Sequence, residues 1–169
     1  MRRSALALLA AAAVAPSASS LAQTDAPPTR KPGWWEMQVA ISGPTPEPIR
    51  QTVHLCTNAD YDKVQSPFGV NMNGAGCQPT KVAHTATGWT VSGACDTGQM
   101  KITANAVATG DLNDRYHVDI DTRLDPPPAP QAGQVKVGLD ARWVGECPAG
   151  MKPGDNDRGP APGAPPTAN

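Results

Sequence analysis

Apolar and polar residues alternate along the middle of the chain, the period-two signature of strands that bury one face. In Gly33–Ser42, Trp35, Met37, Val39 and Ile41 fall on one side, and Glu36, Gln38 and Ala40 on the other. Gly43-Pro44-Thr45-Pro46-Glu47-Pro48 cannot carry a hydrogen-bonded ladder and reads as a break. Alternation resumes over residues 49–56, and the next stretch, 57–64, predicts a short helix with Thr57 as N-cap and Asp60 three residues on. Residues 69–76 read as a loop. Residues 77–86 and 89–95 predict a hairpin about Thr87-Gly88; residues 99–109 and 115–124 predict another about Gly110 to Asp114. After a Pro-rich loop at 125–130, residues 134–147 read as the last strand.

These seven short strands have no crossover helix between them, so the sheet must be antiparallel. The expected fold class is mainly β: an antiparallel meander forming a curved sheet or partly closed barrel, with one short helix and two disulfides. Gly93, Ala104, Ala106 and Ala108 make part of the inward face small, which predicts close sheet contact or room for a groove.

The two ends break the pattern. Met1-Arg2-Arg3, an apolar run over 5–15 and small residues after it form the three-part layout of a secretory signal peptide. That run is shorter than the about 20 apolar residues of a permanent membrane span. Cleavage is expected between Ala22 and Gln23, so the expected location is the periplasm. Arg2-Arg3 also fits a twin-arginine signal, but Ser4-Ala5-Leu6 after it does not, which favours the general secretory route. Residues 23–30 read as a linker, 31–147 as a single β domain, and 148–169 as a disordered tail rich in Pro and Gly.

Composition sharpens this picture. Only 4% of residues are aromatic, while Gly (16) and Pro (19) are abundant, so the core must be thin. A net charge of −1 excludes a nucleic-acid binder driven by bulk positive charge.

The four cysteines, Cys56, Cys77, Cys95 and Cys147, all lie within the predicted domain. An even number in an exported chain implies two disulfides. No close C-x-x-C pair suggests zinc or redox chemistry. Cys95 and Cys147 are each in phase with the apolar positions of their strands, whereas Cys56 is out of phase. Strand phase therefore predicts Cys95–Cys147 and leaves Cys56–Cys77.

Lys31-Pro32-Gly33-Trp34-Trp35-Glu36 resembles the opening KPGLWE of a bacterial family known as domain of unknown function 3617, with Trp34 where Leu is usual. In the same order follow Gln51-Thr52-Val53 leading to Cys56, Cys77 opening a strand, the segment from Trp89 to Cys95, and Val144-Gly145-Glu146-Cys147 ending the last strand. The resemblance spans about residues 31–147. It implies an exported antiparallel sheet domain and supplies no activity, cofactor or catalytic residue.

The candidate chemistry is sparse. His54, His84 and His117 could in principle form a zinc or copper site, but His54 shares a face with Arg50 and Thr52, and His117 with Arg115, Asp119 and Asp121. Scattered surface histidines are expected instead. Asp111, Asn113 and Asp114 hint at a calcium loop, yet Arg115 and Tyr116 stand where an acceptor and a Gly are required, so a hairpin turn is expected. Asp119 and Asp121 lie about 7 Å apart along one strand face, without a cleft. No nucleophile elbow, phosphate loop or zinc-protease motif occurs. Trp35, Trp89 and Trp143 are in phase with the apolar positions and either fill the core or face a ligand.

No catalytic residue, metal or cofactor is therefore expected. Two roles remain. The first is a non-enzymatic structural or partner-binding domain of the envelope, monomeric and without a membrane span once cleaved. The second is a binding module for a small apolar ligand on the concave face of the sheet.

Overall fold

The computed structural model describes residues 28–158 apart from Pro44, Asn73 and Pro79. The expected signal peptide with its Ala22/Gln23 cleavage site, most of the linker, and residues 159–169 lie outside the described residues. Among the described residues the strands are β1 (Gly33–Ser42), β2 (Ile49–Thr57), β3 (Lys81–Thr85), β4 (Gly88–Asp96), β5 (Lys101–Asp111), β6 (Arg115–Asp125) and β7 (Gln134–Gly145), with one helix, α1 (Ala59–Gln65). They form a single antiparallel sheet in the order β2-β1-β7-β6-β5-β4-β3. The last and first strands of the chain, β7 and β1, pair at its centre, and the sheet stays open, with β2 and β3 at its edges.

The register aligns the apolar positions across the sheet. Trp35 lies opposite Trp143, Val39 opposite Leu139, Leu139 opposite Val118, Val118 opposite Ala108, and Ala106 opposite Val91. The other face carries Glu36, His54, Arg142, His117, Asp119, Asp121 and Lys136, as the alternation requires.

A long connection runs from β2, at one edge, to β3, at the other, and so must cross the apolar face. It begins with α1, and Pro67, Phe68 and Val70 after the helix are buried. Phe68 and Val70 join the same core as Trp35, Val91, Ala104, Ala106, Ala108, Val118 and Leu139. We call residues 66–72 the strap. It lies so close to β4 that a Cβ added at Gly93 would sit 3.0 Å from the Met72 side chain.

Three expectations need correction. First, the N-cap of α1 is Asn58, whose Oδ1 accepts from the Tyr61 amide at 2.8 Å; Thr57 instead ends β2, paired with Gly33. Second, the disulfides are Cys56–Cys147 and Cys77–Cys95, not Cys56–Cys77 and Cys95–Cys147. The phase argument failed at a β-bulge. Trp35 pairs with Trp143 but Trp34 pairs with Gly145, so Val144 is an extra residue in β7. One extra residue inverts side-chain phase beyond it. Gly145, at φ 149°, accommodates the bulge, and Cys147 emerges on the face shared by Trp34 and Cys56. Sheet order also separates Cys56, on the β2 edge, from Cys77, which bridges to Cys95 of β4 beside the β3 edge.

Third, the domain extends past both predicted boundaries. Arg30, expected in the linker, is buried. Residues 154–158, expected in a disordered tail, dock along the free edge of β2. The Cys56 amide donates to the Asp155 carbonyl (2.9 Å), the Gly154 amide to the Cys56 carbonyl (2.8 Å), and the Asp157 amide to the His54 carbonyl (3.2 Å). The Cys56–Cys147 bridge holds the start of this segment against β2, which lowers the entropy of closing the short loop. It also covers an edge that would otherwise offer unpaired backbone groups.

Candidate functional site

A cavity of about 450 Å³ lies between α1, the first part of the strap, and the β2-β1-β7-β6 side of the sheet. Its floor is apolar: Met37 and Val39 of β1, Leu55 of β2, Val137 and Leu139 of β7, and Ile120 of β6. These are the inward residues of the alternating pattern, and the register sets Val39 opposite Leu139 and Ile120 opposite Val137. The helix contributes Tyr61 and Gln65, and the chain after it Ser66, Pro67, Gly69 and Asn71. Gln65, Gly69 and Asn71 are exposed and mark the mouth, making the cavity a groove.

A buried ionic network holds the roof. Asp62 of α1 is fully buried and Arg30 is 3% exposed. The Arg30 guanidinium donates to Asp62 Oδ1 through Nη2 at 2.7 Å and to both oxygens through Nε, and the Arg30 amide donates to Asp62 Oδ2 at 2.7 Å. Its remaining arm, Nη1, donates to the Tyr116 hydroxyl at 3.1 Å and approaches Met37 Sδ at 3.6 Å. The Tyr116 hydroxyl in turn donates to the Pro67 carbonyl at 2.9 Å. One residue of the N-terminal segment thus ties together the helix, the strap and β6. Burial pushes the Tyr116 and Tyr61 hydroxyls above their ordinary range, so both stay neutral at physiological pH. Gly154 of the docked C-terminal segment lies against the Tyr61 ring.

The three tryptophans proposed as ligand-facing do not line this groove. Trp35 is fully buried, with Nε1 donating to the Lys31 carbonyl at 2.9 Å and its ring tilted on Tyr116. Trp143 donates to the Pro32 carbonyl and lies beneath the Lys31 ammonium, 3.4 Å from the ring centre. Trp89 packs between Phe68 and His84. Trp35 belongs to the core, and Trp89 and Trp143 pack against it. Likewise, Gly93, Ala104, Ala106 and Ala108 lie outside the groove; the three alanines are buried in the core that the strap shares, and Gly93 sits against Met72.

The histidines lie on three different strands, β2, β3 and β6. His54 pairs with Asp157 (2.8 Å) and Glu36 (3.5 Å) and stacks on Trp34. His117 pairs with Asp140 (2.8 Å) and Asp119 (3.3 Å), and Asp121 with Lys136 (3.3 Å). Both histidine clusters lie on the polar face of the sheet. Hydrogen bonding to Asp140 raises the His117 pKa above 6.5, and the His54 backbone amide holds Asp157 below the usual carboxylate range. Asp111 forms the expected hairpin turn, its Oδ1 accepting from the Asn113 amide at 2.8 Å. Among the described residues, no group of three His, Cys, Asp or Glu side chains could hold a metal ion, and no helix is long and apolar enough to cross a membrane.

Sequence reasoning missed Arg30 and Asp62, and it set the groove over other residues than those that line it. The available signal was Asp62 itself, four residues after the N-cap, on a helix that must turn one face to the sheet; a carboxylate there demands a cation from another segment. Nothing in the pattern says which segment supplies it.

The molecule is an open, disulfide-linked antiparallel sheet domain whose apolar face is crossed by its own β2–β3 connection. The family model of a protein of unknown function, DUF3617, matches residues 30–147, and the chain belongs to that family. No curated protein and no solved structure matches it. The match begins at Arg30 and ends at Cys147, taking in both disulfides and the Arg30–Asp62 pair. Two disulfides place the folded chain in an oxidising environment.

Proposed function

We propose that this is an exported periplasmic protein, released from a signal peptide after Ala22, that binds a small apolar ligand in the groove and performs no chemistry of its own. The observation that carries the reading is the groove: about 450 Å³, within the range of small-molecule sites, floored by six apolar side chains and edged by a few polar groups. The roof supports the same reading. A buried ionic network is a costly way to hold a seven-residue helix, and here it keeps that helix over the groove. The cysteines are committed to bridges, which withdraws them as nucleophiles and soft ligands. The histidine–carboxylate clusters lie on the opposite face of the sheet, remote from any bound apolar molecule.

The test is fluorescence titration of the purified oxidised protein with N-phenyl-1-naphthylamine, an uncharged probe that brightens in apolar surroundings. The expected result is saturable binding at one site per chain. Val137→Trp, which fills the groove from its floor, should weaken binding at least tenfold while the far-ultraviolet circular dichroism is retained. Unchanged binding by folded Val137→Trp would refute the assignment.

A further inference from the structure

We infer that the groove selects an uncharged amphiphile, an aliphatic chain ending in a hydroxyl, ester or amide, over a fatty acid or a cationic amphiphile of the same length; this rests on the groove being the ligand site.

The inference comes from an inventory of charge. Among the described residues Arg30 is the only ionic side chain lining the groove, and its charge is already paired with Asp62. Nε and Nη2 are held by Asp62, and Nη1 is turned to Tyr116 and Met37. The pair is neutral as a unit and buried on both sides. A ligand carboxylate would have to compete with Asp62 for a guanidinium whose Nε and Nη2 already point at that carboxylate. An ammonium would meet the positive partner of the same pair. Either ion would exchange its hydration for neutral partners alone, and a buried charge with no opposite charge beside it is far costlier than a buried hydroxyl.

The other polar side chains at the groove are Tyr61, Gln65, Ser66, Asn71 and Thr122, all hydroxyls or amides. They can donate to or accept from an uncharged head group without leaving a charge unmatched. The ion pair Lys63–Asp60 of the same helix involves two exposed side chains that do not line the groove. The chemistry at the mouth is therefore polar and neutral, and that along the floor is aliphatic.

The experiment is displacement of N-phenyl-1-naphthylamine from the oxidised protein by three competitors of equal chain length: 1-decanol, decanoate and decyltrimethylammonium. All are used below their micelle concentrations at pH 7.5. Decanol should displace the probe at concentrations at least tenfold lower than either ion. Displacement by decanoate or by the ammonium at concentrations equal to or below that of decanol would overturn the inference. Val137→Trp and Thr122→Trp separate this from failure of the groove itself. If both folded variants still bind the probe as the wild type does, the groove is not the site. If both lose it while an ion is preferred by the wild type, the groove stands and only its selectivity has been misread.

Discussion

The two halves of the apolar face are built oppositely. On the β4–β5 side the floor is small, Gly93 and Ala104, Ala106 and Ala108, and the strap lies directly against it, with Phe68, Val70 and Met72 filling the interior. On the β2-β1-β7-β6 side the floor is large, Met37, Val39, Leu55, Ile120, Val137 and Leu139, and there the cover stands off and leaves a groove. Small residues do not create space; they draw the covering chain down. Space appears where long side chains meet a roof fixed from elsewhere, here by Arg30 and Asp62. The disulfides follow the same division. Cys56–Cys147 closes the groove side across 91 residues, and Cys77–Cys95 pins the end of the connection to β4 across 18.

The largest expected effect separates those bridges. In the chain-entropy picture a 91-residue loop contributes about 4–5 kcal/mol and an 18-residue loop about 3 kcal/mol. Urea unfolding of Cys56→Ala/Cys147→Ala should therefore show a larger loss than that of Cys77→Ala/Cys95→Ala, and the reverse order would contradict the division. Next, Asp62→Ala leaves the Arg30 charge buried alone and should cost about 3–5 kcal/mol. Replacing both, Arg30→Met with Asp62→Leu, should recover most of that stability. If the double variant is no better than the single one, the roof is not held by charge pairing.

Smaller effects probe the packing contrast. Ala106→Leu adds volume beneath the strap and should destabilise by about 1–3 kcal/mol, as overpacking does. Val137→Leu grows into the groove and should stay within about 0.5 kcal/mol of wild type. Equal costs in thermal melts would mean the two halves are equally filled.

The smallest effect is on pH. His117 has a raised pKa in the fold, so its contribution is complete below about 6.5 and is lost as pH rises through the raised value. Asp157 has a lowered pKa, so its contribution is present above about 3.8 and is lost as pH falls further into the acid range. His117 lies on the polar face and Asp157 in the docked C-terminal segment, away from the groove lining. Probe affinity in the groove should therefore be flat between about pH 5 and 8, the range in which histidine titrates. A histidine-like inflection in the binding curve, removed by His117→Asn, would show that the two faces are coupled.

Strand positions were legible because alternation is a local property: β1 spans the residues its pattern marks, and the others differ by a few residues at their ends. The disulfide pairing was not, because one extra residue, Val144, inverts phase and is silent in composition. Residues 154–158 were misread for a related reason. Pro and Gly signal that a segment cannot build a core, but they do not stop it from hydrogen bonding to a strand edge beside a covalent tether. The groove was anticipated only as a possibility and placed over the wrong residues. Its position depends on where the connection crosses the sheet, and that is fixed by Arg30 meeting Asp62 at a separation of 32 residues.

The most direct measurement is a methyl-resolved NMR titration of the oxidised protein with 1-decanol. The methyl groups of Val39, Leu55, Ile120, Val137 and Leu139 should shift together and saturate, while those of Val82 and Val91 under the filled half stay in place. Shifts confined to Val82 and Val91, or spread equally over both sets, would contradict the account.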